Sequence, residues 1–150
     1  MKILSLTLLL LVSACGNSPL FNHKTESDSG SGKSVVDERG YLEFKKTDFA
    51  FTVTWEEGPQ LGSSQFIMKT WNKKLGTISG PYQDLPKDLS VFLWMPAMGH
   101  GSAPVKLQKI NDGEYKVSEV QFLMGGKWEV KFQLKDGGQV FDETVISVSL

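Results

Sequence analysis

Apolar and polar positions alternate with a period of two through most of the chain after residue 48. Phe49, Phe51, Val53 and Trp55 share one side of an extended segment, with Ala50, Thr52, Thr54 and Glu56 on the other. Successive side chains of a strand point to opposite faces, so this pattern predicts a half-buried β-strand. Residues 127–135 repeat it: Trp128, Val130, Phe132 and Leu134 oppose Lys127, Glu129, Lys131, Gln133 and Lys135. Further strands are predicted near residues 65–71, 75–79, 89–95, 105–110, 115–124 and 140–148. Turn-forming pairs punctuate them at Gly80-Pro81, Asn111-Asp112-Gly113, Gly125-Gly126 and Asp136-Gly137-Gly138. No stretch carries a helical period. Seven or eight short strands in about 110 residues predict an all-β fold, an immunoglobulin-like antiparallel β-sandwich. Trp55, Trp71, Trp94 and Trp128 are expected in its core or at its rim.

Residues 1–14 follow a different rule. Lys2 precedes an apolar run from Ile3 to Val12, and Val12-Ser13-Ala14 places small residues before Cys15. This is the layout of an export signal, too short for an ordinary membrane span. The cysteine at the cleavage point resembles a bacterial lipobox, with Val12 where leucine is usual. The resemblance implies that Cys15 is lipidated and begins the mature chain, held to a membrane of the bacterial envelope and facing the periplasm, on the outer membrane. Cys15 is the only cysteine, so the exported protein has no internal disulfide and no other thiolate.

Residues 16–39 are rich in Ser, Gly, Asn, Asp and Lys, and bury too little apolar surface to offset the entropy of ordering. They are expected to form a tether of about 25–30 Å, with His23 solvated within it. The remaining residues, 40–150, suffice for one domain with one core. Without Lys2, the 16 Lys+Arg fall to 15 against 17 Asp+Glu. That near-neutral balance, with no basic stripe, excludes nucleic acid as a partner class.

Candidate chemistry gathers in Met95-Pro96-Ala97-Met98-Gly99-His100-Gly101. Thioether sulfur and imidazole nitrogen suit copper, Cu(I) more than Cu(II), and Pro96 restricts the loop between the sulfurs. Hairpin connectivity extends the cluster. If the strand ending at Met95 runs upward, the next descends and the one after climbs to Met124. Met124 and the start of the Trp128 strand therefore belong at the same pole. Met95, Met98, His100 and Met124 are the candidate ligands, with Trp94 or Trp128 as a shield or ring contact. The competing reading is structural: methionine is a flexible gap-filler that often closes the end of a sandwich. The chain is then a non-catalytic envelope module that binds another protein through aromatics such as Tyr82 or Trp71. Catalysis is not expected. The chain holds two histidines, one in the tether, and pairs such as Glu56-Glu57 or Asp142-Glu143 suit solvated strand ends.

The run Trp94 to Gly101, followed by Gly113-Glu114-Tyr115 and by Phe122-Leu123-Met124-Gly125-Gly126-Lys127-Trp128, resembles the FixH-like/YtkA-like domain family. The resemblance covers the C-terminal half and implies an exported or membrane-tethered β-sandwich, in settings linked to copper handling or cytochrome oxidase maturation. The Met-x-x-Met-x-His spacing is also similar to that of periplasmic copper chaperones, whose additional ligands have no counterpart here. FixH proteins proper carry a transmembrane helix, where this chain has a lipid-anchor signal. A site without thiolate would bind copper reversibly, which suits a carrier or sensor with a copper-receiving protein as partner.

Overall fold

Alternation becomes strand pairing in the computed structural model, which describes residues 34–35 and 39–150. Cys15, His23, the export signal and most of the expected tether lie outside the described residues. The described strands are Ser34–Val35 (β1), Leu42–Glu43 (β2), Phe49–Glu57 (β3), Gly62–Asn72 (β4), Asp88–Met95 (β5), His100–Gly101 (β6), Lys106–Asn111 (β7), Glu114–Phe122 (β8), Lys127–Asp136 (β9) and Gln139–Ser149 (β10). One sheet has the order β1-β3-β4-β8-β7, with β2 also on β3; the other is β10-β9-β5-β6. All the pairings are antiparallel. The seven longer strands thus reproduce the ABED and GFC sheets of a constant-type immunoglobulin sandwich.

The inward faces are those the alternation predicts. Phe51, Val53 and Trp55 of β3 and Trp128, Val130, Phe132 and Leu134 of β9 are fully buried. Phe132 joins the sheets, its ring centroid 5.0 Å from Phe51 and 5.9 Å from Phe66. Two pieces depart from expectation. Residues 75–79 form no strand, because Asn72 turns the chain. Its Oδ1 accepts the Lys74 N–H at 2.9 Å, and its carbonyl accepts those of Leu75 and Gly76. Leu75 and Ile78 are left exposed. Ser34–Val35, within the expected tether, instead pairs with Thr54 and Val53.

The two ends of the sandwich differ. At the lower end, the segment 81–86 is tied down around Gly113. Thr70 donates its N–H to the Gly113 carbonyl at 2.8 Å, and Gln83 donates to that of Thr70 at 2.9 Å. Gly113 donates to Asp84 Oδ1 at 2.9 Å, and Leu85 to the Tyr115 hydroxyl at 3.3 Å. The Gly113 N–H, with the Lys109 ammonium, holds the Asp84 carboxyl below its ordinary range, while burial pushes the Tyr115 phenol up. The Gly-Glu-Tyr element is therefore a structural clasp, at the opposite end of the sandwich from Met95, Met98 and Met124.

A candidate metal site at the uncharged pole

Three connections meet at the upper end. Gly62 pairs with Phe122, so the turn after β3 lies beside the end of β8. Ser102 ties the loop after β5 to the same strand, its hydroxyl donating to the Gln121 carbonyl at 2.6 Å. The C-terminus closes the pole through paired hydrogen bonds between Gly126 and Leu150 of 2.8 and 3.1 Å. Convergence of the Met95–His100 loop with the Met124 turn thus follows from the strand order, as the hairpin argument requires.

The loop itself is a tight hairpin. Met98 and Gly99 donate their N–H groups to the Met95 carbonyl at 3.1 and 3.0 Å. Gly99 takes a φ of 67°, the left-handed region that glycine occupies without penalty. The chain then returns, with Met95 opposite His100 and Trp94 opposite Gly101. Residues directly opposite on paired strands share a face, so His100 lies on the Met95 side and Trp94 on the other. Trp128, rather than Trp94, accompanies the imidazole: their ring centroids are 6.2 Å apart at 73°. The Trp128 indole N–H donates to the Met124 carbonyl at 2.9 Å, fixing the turn that carries the third thioether.

Burial divides the four candidate ligands. Met95 is 5% exposed and belongs to the core, continuing the inward series Val91 and Leu93. A Cβ on Gly126 would lie 2.6 Å from its Cε, so this methyl occupies the space the glycine leaves. Met98 and Met124 are 59% and 40% exposed, and His100 is half-buried. His100 Nδ1 lies 2.9 Å from the Gly101 carbonyl. A carbonyl only accepts, so the neutral ring that makes this bond carries its proton on Nδ1. The Nε2 lone pair is then available to a metal, as in many histidine sites where the other nitrogen is held by an acceptor. No group of three His, Cys, Asp or Glu residues suited to a metal exists among the described residues. A metal site here has to be built on thioethers and one imidazole, a set that fits Cu(I).

Trp71, expected as an exposed binding aromatic, is only 2% exposed and lies edge-on to Tyr41 at 5.5 Å. As the residue after inward-facing Thr70, it faces out of the sandwich, and Tyr41 covers it. Tyr82 lies under the Lys69 ammonium at 4.9 Å and donates its hydroxyl to the Ile78 carbonyl. No described helix is long and apolar enough to cross a membrane.

Donor chemistry alone does not reveal the character of the whole pole. Its three connecting segments, 58–64, 95–105 and 121–126, contain no Asp, Glu, Lys or Arg. At the opposite end the connections 44–48, 73–87 and 112–113 carry charges and only Gly137-Gly138 does not, while Glu57, Lys106 and Lys127 border the upper connections at strand ends. Leu61 and Leu123 stand 60% and 61% exposed at the uncharged end, with Met98 and Met124. This asymmetry is legible in the sequence once the strand order assigns each connection to an end.

A family model described as YtkA-like matches residues 43–133, more than half of the chain. No curated protein and no solved structure gives a match.

Proposed function

The chain belongs to the YtkA-like family, and from its uncharged pole we propose a non-catalytic, membrane-anchored envelope lipoprotein that binds Cu(I) reversibly. Met98 and Met124 are the exposed donors and His100 a half-buried one, and Met95, paired opposite His100, is a further, buried sulfur. The observation that carries the reading is His100. Its Nδ1 is engaged by the Gly101 carbonyl at 2.9 Å, with two accessible thioethers at the same pole. Without a thiolate, such a site holds copper loosely enough to pass it on, as a carrier or homeostasis accessory with a copper-receiving partner. Trp128 shields one side of the imidazole.

The burial of Met95 favours a second reading, in which the methionines only close the core of a protein-binding envelope module. Leucine substitutions separate the two, because Leu and Met have similar volumes and such swaps cost less than about 1.5 kcal/mol. Met98→Leu should leave the metal-free melting temperature unchanged and weaken Cu(I) binding by at least about tenfold, about 1.4 kcal/mol. His100→Ala should do the same. Under the packing reading, neither the wild type nor the variants respond to Cu(I), as competitive titration with a Cu(I) chelator would record.

The anchor has its own test. Several acyl chains hold a protein far more firmly than one, so Cys15→Ser should shift the protein to the soluble fraction or leave its precursor uncleaved. A variant processed like wild type and still sedimenting with membranes would contradict lipidation at this residue.

A further inference from the structure

We propose that the uncharged pole is a lipid-docking surface, which rests on the bilayer to which the chain is tethered. Two independent observations lead there. The first is composition. Leu61, Leu123, Met98 and Met124 project from three different connections at one end, all well exposed, and no Asp, Glu, Lys or Arg lies in those segments. Leu75, Ile78 and Val140 are exposed at the other end, but among charged residues; exposed apolar groups on connections without charge mark a surface that meets an apolar phase. The nearest charges, Glu57, Lys106 and Lys127, stand at the strand ends that border this pole, so the connections themselves bring no ion towards hydrocarbon.

The second observation is the direction of the chain. β1 runs antiparallel to β3, with Ser34 opposite Thr54 and Val35 opposite Val53. β3 itself ascends towards Glu57 and the uncharged end. The chain therefore reaches Ser34 from the side of that pole, and the end nearest the entry point is the one bearing the exposed leucines. Lipidation at Cys15, expected from the sequence, would hold that end towards the membrane. The tether length expected from the sequence, about 25–30 Å, would keep the pole within reach of the headgroups. With no basic residue in its connections, this surface binds by apolar insertion and not by attraction to anionic lipid. The inference does not depend on copper, and it holds for metal-free protein.

The test uses the full chain in phosphatidylcholine vesicles. Single cysteines replacing Leu61 or Leu123 carry an environment-sensitive fluorophore, with a label at Ile78, exposed at the charged end, as control. Circular dichroism and melting verify that each labelled protein is folded. The Leu61 and Leu123 labels should shift to the blue and be quenched by lipids brominated on their acyl chains. Neither effect should appear at Ile78. Raising the salt concentration or adding phosphatidylglycerol should change neither effect. Equal access of aqueous quencher to all three positions would overturn the proposal. So would protection of Leu123 in native membranes but not in pure lipid, which would assign the pole to a protein partner.

Discussion

Phe132→Ala is expected to lower the unfolding free energy by about 3–5 kcal/mol, as large-to-small changes in a packed core do. Phe132 is fully buried on β9 and touches rings of both strands facing it across the sandwich, Phe51 at 5.0 Å and Phe66 at 5.9 Å. Removing the ring opens a void that two rigid sheets cannot collapse around. Lys131, the preceding residue, faces out, and its ion pairs with Glu129 and Glu143 are 3.5 and 3.6 Å long. Lys131→Ala should therefore change stability by no more than about 0.5 kcal/mol. In a thermal melt the first variant should fall by roughly 10–20 °C and the second should barely move. Equal shifts would contradict the register of β9.

Gly113→Ala should cost at least about 3 kcal/mol, a large effect for a single methyl group. Part is backbone strain, since Gly113 holds a φ of 65°. The greater part is space. A Cβ there would lie 2.7 Å from both the Gln83 and Thr70 carbonyl oxygens, which belong to backbone held by its own hydrogen bonds. Relief requires the 81–86 segment to move away, losing the bonds from Gly113 to Asp84 and from Leu85 to Tyr115. Gly137 supplies the control: it has a φ of 57°, and a Cβ there would meet nothing within 4 Å. Gly137→Ala should cost about 1 kcal/mol, the strain alone. Denaturant unfolding of the pair checks this, and similar losses would show that close approach is not what requires glycine at residue 113.

The clasp explains a motif that the sequence presents only as family likeness. Gly113-Glu114-Tyr115 has no visible chemistry, and its role depends on Asp84 and Gln83, about thirty residues away and brought near only by the sheet. Long-range pairing of this kind is beyond local pattern. The strands themselves are legible because a two-sided sandwich makes period two obligatory. The failure at residues 75–79 has a local cause: the Asn72 side chain captures the Lys74 N–H, and the chain turns before any strand can form.

The candidate site is legible in part. Hairpin connectivity suffices to bring Met95, His100 and Met124 to one pole. Burial of Met95 follows from the alternation of Val91 and Leu93, and the same rule turns Trp94 away from the imidazole. Both signals are present in the sequence, but the thioether and imidazole spacing speaks for metal without regard to faces. The Nδ1 partner of His100 is different in kind. It depends on how the 96–99 turn closes, which residue types do not determine.

The measurement that bears most directly on the account is a Cu(I) titration of the wild-type exported chain, followed by thermal melting under anaerobic reducing conditions. A ligand that binds the native state alone raises stability in proportion to the logarithm of its concentration above Kd. A Cu(I) site at this pole should take up one equivalent of Cu(I), and the melting temperature should climb with free Cu(I). A chain that takes up no Cu(I) and melts at the same temperature throughout would contradict it, leaving the methionine pole without a metal.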